Sequence, residues 1–345
     1  MNKESLKKAF WMVFTLALSV LTVWAVLKQS ESMSISALLQ KIAQADKKWI
    51  VIAMISALGY VFFEAVALCS ILKGIGYKVN IRKGLLYSTA DVYFSAVTPS
   101  ATGGQPASAF FMLKHGIKAG VTSAALVLNV MMYNLAIVFL GLVAIIINPR
   151  ALLAFHTSSK VFIILGFIGL TLLSLFFLSV LKGSEKVFSL LRGLLSILYD
   201  KKIIHHLERR MKKLDKIEAD YENCSSLISN RWDIMIKAFF WNVLQRASQI
   251  LVPAFAYIAM TGEKGFVGEM FSKQCLINIG YNYVPIPGAL GIADYLMIDG
   301  FSSIMSKGTA FEIDMISRGM TFYLCVTLSG VITLIGYLKG RKIKK

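Results

Sequence analysis

Residues 98–106 read Thr98-Pro99-Ser100-Ala101-Thr102-Gly103-Gly104-Gln105-Pro106. Two prolines and two glycines in nine residues do not continue a helix, because proline lacks the amide donor and glycine is costly to order. Apolar runs flank this break, Gly84–Val97 before it and Ala107–Leu113 after it. A hydrocarbon core about 30 Å thick needs roughly 20 helical residues. Neither run is long enough alone. Lys73, Lys78, Arg82 and Lys83 precede the pair, and Lys114, His115 and Lys118 follow it. Two half-length helices around a Pro/Gly break, basic at both outer ends, predict a re-entrant hairpin over 84–118 with its mouth at the cytoplasm.

Reading outward, the same pattern returns once. Phe266–Tyr283 and Ile292–Met305 flank Pro285-Ile286-Pro287-Gly288-Ala289-Leu290-Gly291, which predicts a second re-entrant hairpin over 266–306, opening outside. Apolar runs of spanning length occur at Phe10–Leu27, Trp49–Leu72, Val121–Ile147, Lys160–Leu181, Ile234–Met260 and Phe311–Leu338. Lys3, Lys7 and Lys8 put the N-terminus inside, and Lys339, Arg341, Lys342, Lys344 and Lys345 do the same for the C-terminus. Lys41, Lys47 and Lys48 before the second span run against the charge rule. The expected fold is an all-α polytopic membrane protein, residues 1–345 forming a single transmembrane domain. It has about six full spans and two opposed re-entrant helical hairpins. Broken elements entering from opposite faces, one in each half, point to an inverted repeat with a site at the midplane. The alternative, in which each broken segment is a kinked full span, stays open. Residues 182–233 are polar and read as a cytoplasmic insertion, an amphipathic helix followed by a charged helical hairpin.

Composition agrees. Of 345 residues, 56% are hydrophobic and 16% charged, which excludes a disordered chain and an ordinary soluble enzyme. The net charge of +18 fits basic flanks against anionic lipid, and no nucleic-acid motif accompanies it. Cys69, Cys224, Cys275 and Cys325 are too scattered for a metal pair, and no HExxH occurs. No cofactor or metal is expected. Nor is a catalytic residue, since no GxSxG, Walker loop or DxD is found.

Ionisable groups inside spans are costly and mark functional positions. Arg246 lies mid-span, and Asn242, Gln245, Arg246 and Gln249 share one helix face by i, i+3, i+4, i+7 spacing. This stripe can bind a lipid phosphate, for which the planar guanidinium is suited, or can hold helices together as a buried network. Arg318 is a second candidate for the headgroup. Around the breaks, Thr98, Ser100, Thr102, Gly103, Gly104, Gln105, Gly288 and Gly291 offer donors and acceptors for a headgroup. Equally, they can be tight membrane turns. Glu64, Asp91 and Asp294 are expected to pair with arginines or a cationic headgroup, or to carry protons. Asn129, Asn134, Asn278 and Asn282 can line the same cavity or act as interhelical glue.

These motifs carry a resemblance. The segment 98–106 is similar to the first signature of the lysylphosphatidylglycerol synthase transmembrane family, which includes the flippase-like membrane domain of the multiple peptide resistance factor. Pro285-Ile286-Pro287-Gly288-Ala289-Leu290-Gly291-Ile292-Ala293-Asp294 resembles its second, P-x-P-G-x-x-G-x-x-E, with Asp294 in place of the usual glutamate. The resemblance implies a lipid translocase linked to cationic peptide resistance. Full-length members carry a soluble domain that transfers lysine or alanine to phosphatidylglycerol. This chain ends at Lys345, so the resemblance implies the flippase part rather than a lysyltransferase.

The expected activity is movement of an anionic or aminoacylated phospholipid headgroup across the cytoplasmic membrane. Its alternatives are the membrane part of an aminoacyl-lipid synthase system, a small-anion transporter and a membrane scaffold. Expected partners are membrane phospholipid, a separate soluble synthase and a second copy, since small-residue helix faces permit a homodimer. Nucleic acid is not expected.

Overall fold

The computed structural model describes residues 42–98, 101–182, 185–200, 207–284 and 291–342. The expected span at Phe10–Leu27, Ser100 and Gly288 lie outside the described residues. Among those described, all regular structure is helical, and five helical segments are long and apolar enough to cross a membrane. These are Lys47–Gly74, Ala119–Ile147, Thr157–Lys182, Trp232–Thr261 and Lys307–Lys339.

Helix α1 (Lys47–Gly74) runs from one end of the molecule, here termed upper, to the lower end. It starts at Asp46, whose carboxylate accepts the Lys48 amide at 2.9 Å. It stops at Gly76, whose φ of +99° needs no Cβ, and the Tyr77 N–H reaches back to the Leu72 carbonyl at 2.9 Å. Helix α2 (Ile81–Val97) is capped by Asn80 and packs on α3 (Gly104–Lys114) across the first break. A Cβ on Gly104 would come within 2.8 Å of the Asp91 carbonyl, so only glycine allows this approach. Helices α4 (Ala119–Ile147) and α5 (Thr157–Lys182) follow as a packed pair.

The insertion forms two helices, α6 (Glu185–Asp200) and α7 (Leu207–Ser229). A single helix follows α6 where the sequence predicts a charged helical hairpin. No proline or glycine interrupts 207–229. Arg192 of α6 pairs with Asp215 and Glu218 of α7, joining the two helices directly. Helix α7 sits across the lower ends of α4 and α5. Lys118 pairs with Asp220 at 2.8 Å, and the Tyr221 hydroxyl donates to the Val180 carbonyl at 3.1 Å.

Next come α8 (Trp232–Ile250) and α9 (Val252–Thr261), one span with a break at Leu251. Pro253 causes it, because a proline ring removes a donor and crowds the preceding turn. Helices α10 (Val267–Asn282) and α11 (Ile292–Phe301) flank the second break. The last span is α12 (Lys307–Arg318), a π-helical segment Gly319–Leu324, and α13 (Cys325–Lys342).

The two broken pairs enter from opposite ends. The outer ends of α2 and α3 lie below, where the Lys114 ammonium reaches the Tyr337 carbonyl of α13 at 3.5 Å. The outer ends of α10 and α11 lie above. There the Asp46 amide donates to Ala259 at 2.8 Å, and the His156 amide to the Asp299 carboxylate at 3.0 Å.

Packing is also divided. A lower apolar cluster holds Leu68, Leu72, Tyr87, Met112 and Leu128, and an upper one holds Ala57, Ile163, Leu276, Leu296 and Phe301. Buried polar side chains, among them Glu64, Asn129, Gln245 and Arg246, lie between these clusters along α1, α4 and α8. Outward-facing Ile164, Leu165, Ile168 and Leu172 on α5 are exposed, as a lipid-facing helix requires.

Candidate functional site

The polar layer is built from helix periodicity. On α8, Asn242, Gln245 and Arg246 are all buried. On α1, Tyr60 and Glu64 are one turn apart. On α4, Asn129 and Tyr133 are likewise one turn apart. Arg246 lies between two rings, its guanidinium carbon 5.3 Å from the Tyr60 centroid and 3.8 Å from the Tyr133 centroid. One guanidinium nitrogen donates to Gln249 Oε1 at 2.5 Å. The Arg246 Nε has no partner, and among the described residues no carboxylate lies within ion-pair distance of this guanidinium. Arg246 is only 2% exposed, so a charge is held away from water with donors still unused.

The contacts of Arg246 leave its Nε donor unmet. Two desolvated cation–π contacts and one charge-assisted hydrogen bond are worth about 2 kcal/mol each. Burying an ion costs several kcal/mol even after relaxation, and full compensation needs its remaining donors satisfied.

On one side of Arg246 stand two carboxylates, Glu64 of α1 and Asp91 of α2. Glu64 accepts from Ser88 Oγ at 3.0 Å and from Gln245 Nε2 at 3.4 Å. Asp91 adjoins Glu64 and accepts from Gln105 Nε2 at 3.2 Å. Gln105 is the second residue of α3, so this contact ties the far side of the break to α2. Thr98 closes the turn, donating to the Phe94 carbonyl at 2.6 Å and accepting the Gly103 amide at 2.9 Å. Gly104 is buried against Asp91, and Thr102 lies in the exposed turn. Asn242 donates to Asn129 Oδ1 at 3.1 Å and to its own helix at Ala238, the network expected of interhelical glue.

On the other side stands the inner end of α10. The Tyr133 hydroxyl donates to Asn282 Oδ1 at 3.0 Å, and the Asn282 amide nitrogen donates to Asn278. The inner ends of both broken pairs therefore reach the layer that holds Arg246.

Arg318 and Asp294 are placed differently. They form an ion pair with each other, with Asp314 Oδ1 at 3.7 Å from the same Arg318 nitrogen. Asp294 also accepts the Gly291 amide at 2.8 Å, capping α11. The start of α11 and the Gly291 donor are thus already occupied by the chain's own carboxylate.

Several residues of these networks escape a reading by hydropathy. Tyr60 and Tyr133 look like packing aromatics, although each lies one turn from a polar residue already singled out. Asp314 lies one turn before Arg318. Lys273 is fully buried on α10, salt-bridged to Glu269 at 3.0 Å and hydrogen-bonded to Ser303. It joins the two arms of the second broken pair near the carbonyl end of α11.

Comparison with protein families decides the relationship. A model described as "Lysylphosphatidylglycerol synthase TM region" matches residues 12–329. The chain belongs to this family. Comparison with curated proteins and with solved structures finds no match. Membership makes it a multi-pass membrane protein of a family tied to lipid modification or translocation.

Proposed function

We propose that this family member is a flippase-like lipid translocase that carries a phospholipid or aminoacyl-phospholipid headgroup across the cytoplasmic membrane. The observation that carries the reading is Arg246, buried between Tyr60 and Tyr133 with an unused donor and no carboxylate partner among the described residues. A phosphate is planar-fork compatible and neutralises the charge. Gln249 holds the guanidinium, while Asn242 and Gln245 fix α8 against α4 and α1. Glu64 and Asp91 lie on the side where a cationic substituent of the headgroup is stabilised. The two broken helix pairs act as re-entrant hairpins, and their breaks allow access to alternate between the two faces. Arg318, Asp294 and Asp314 hold the second hairpin to the last span. Acyl tails stay in the bilayer.

The test is translocation in proteoliposomes holding the purified chain and phosphatidylglycerol, its lysyl derivative or a polyprenyl phosphate. Arg246→Ala should slow movement of the transported lipid by about tenfold or more, and Arg246→Lys should retain part of it as a point charge. Equal rates in wild type, Arg246→Ala and empty liposomes, with each protein folded, overturn the reading. Uptake of soluble phosphate without lipid movement would transfer the same site to small-anion transport.

A further inference from the structure

Away from the central layer, the connection between α1 and α2 borders an open, shallow hollow of about 510 Å³ at the lower end of the molecule. Lys73, Lys78 and Lys83 line it together with Tyr77 and Asn80, and no acidic residue does. Three ammoniums around one hollow give it a positive potential that favours an anion. Some basic groups at this end have carboxylates: Lys118 has Asp220, Arg192 has Asp215 and Glu218, and Arg231 has Asp233. Among the described residues no carboxylate lies within ion-pair distance of Lys73, Lys78 or Lys83.

Helix capping does not account for these lysines. The last carbonyls of α1 are met by backbone, Lys73 by the Gly76 amide at 3.0 Å and Leu72 by the Tyr77 amide at 2.9 Å. The start of α2 is capped by Asn80, whose side chain accepts the Lys83 amide at 3.0 Å. Cys69 Sγ, 3.5 Å from the Asn80 carbonyl, pins the connection to α1. The lysines therefore rise from a fixed frame.

We propose that this hollow binds a phosphate-bearing anion, supplied by the headgroup of an anionic lipid at the membrane surface. The site is separate from Arg246 and does not depend on its role. Lysine suits it because each ammonium acts as a point charge on a flexible stem and adapts to different phosphoesters.

Binding is measured on the full chain in neutral detergent, in an Arg246→Ala background so that the central site does not contribute. The probes are dihexanoyl-phosphatidylglycerol, inorganic phosphate and dihexanoyl-phosphatidylcholine. Combined Lys73→Gln, Lys78→Gln and Lys83→Gln should weaken phosphatidylglycerol binding about tenfold or more, each exposed contact contributing roughly threefold. Lys78→Gln alone should show the smaller step, and the three arginine substitutions together should retain binding. Phosphatidylcholine should bind more weakly, its own ammonium cancelling the phosphate charge. Lys212→Gln, Lys213→Gln and Lys216→Gln together remove the same charge from α7 and should change little. Inorganic phosphate competing as strongly as the lipid would assign the site to the free anion and overturn the lipid source. Unchanged affinity in the first triple variant, or an equal loss in the α7 variant, overturns the proposal.

Discussion

At the scale of single residues, the chemistry depends on which polar groups have partners. Arg246 and Arg318 both lie within spans, yet Arg318 is neutralised by Asp294 and Arg246 is held by aromatic faces. The stripe Asn242–Gln249 is legible in the sequence because helical period alone places it on one face. The aromatic pair that positions Arg246 is not legible in the same way, since tyrosine is ordinary in an apolar helix and its partner comes from another span. His115 is a further case. It follows α3, with its Nδ1 2.9 Å from the Tyr87 hydroxyl. Burial and the Lys83 and Lys114 ammoniums hold its imidazole below the usual histidine range. The unfolded chain then binds more protons near pH 6 than the folded one, so this contribution is present above about pH 6.5 and lost as pH falls through it. Thermal unfolding at pH 7.5 and pH 5.5 should show a larger loss for wild type than for His115→Gln. An equal loss in both would remove His115 from the acid response.

Among elements, the breaks matter more than the spans. Their existence is legible because proline and glycine cluster between runs too short to span. How they are held is not, because the holding groups come from distant positions. Gln105 crosses the first break to Asp91, and Asp294 crosses from the second hairpin to Arg318 on α12. The π-helical turn that begins at Gly319 has no signature in hydropathy, since its residues are as apolar as their neighbours. It starts immediately after Arg318, so the ion pair fixes α11 to the point where the last span changes geometry. The Arg318–Asp294 pair is only partly buried, so breaking it costs less than the roughly 3 kcal/mol or more of a fully buried pair. Asp314 remains near Arg318 and asparagine keeps an acceptor for the Gly291 amide, so Asp294→Asn should cost roughly 1–2 kcal/mol. Asp294→Ala should cost about 1 kcal/mol more through the lost cap. A denaturation series with Asp314→Asn added closes the cycle. Additive losses for Asp294→Asn and Asp314→Asn would mean that the two carboxylates do not share Arg318.

For the whole molecule, the decisive relation is between halves. The order span, broken pair, span occurs as α1, α2/α3, α4 and again as α8/α9, α10/α11, α12/α13. The first set starts at the upper end and the second at the lower, because α8 begins where Arg231 donates to the Gly74 carbonyl at the foot of α1. Packing follows this relation, since α2 lies on α13 and α10 lies on α4, each broken pair resting on the final span of the other half. Such an exchange is what an inverted repeat produces, even where the two halves share little residue identity. It places Lys78, beside the foot of α1, and Lys264, whose ammonium lies 5.5 Å from the Trp49 ring at its head, at opposite ends. If the spans cross a bilayer as α1 does, these two lysines face different compartments. In a background with Cys69, Cys224, Cys275 and Cys325 replaced by serine, a membrane-impermeant maleimide should label Lys78→Cys only from the cytoplasmic side. Lys264→Cys should be labelled only from the other side. Labelling of both from one side would mean that at least one broken pair crosses the membrane completely, and the opposed re-entrant arrangement would have to be abandoned.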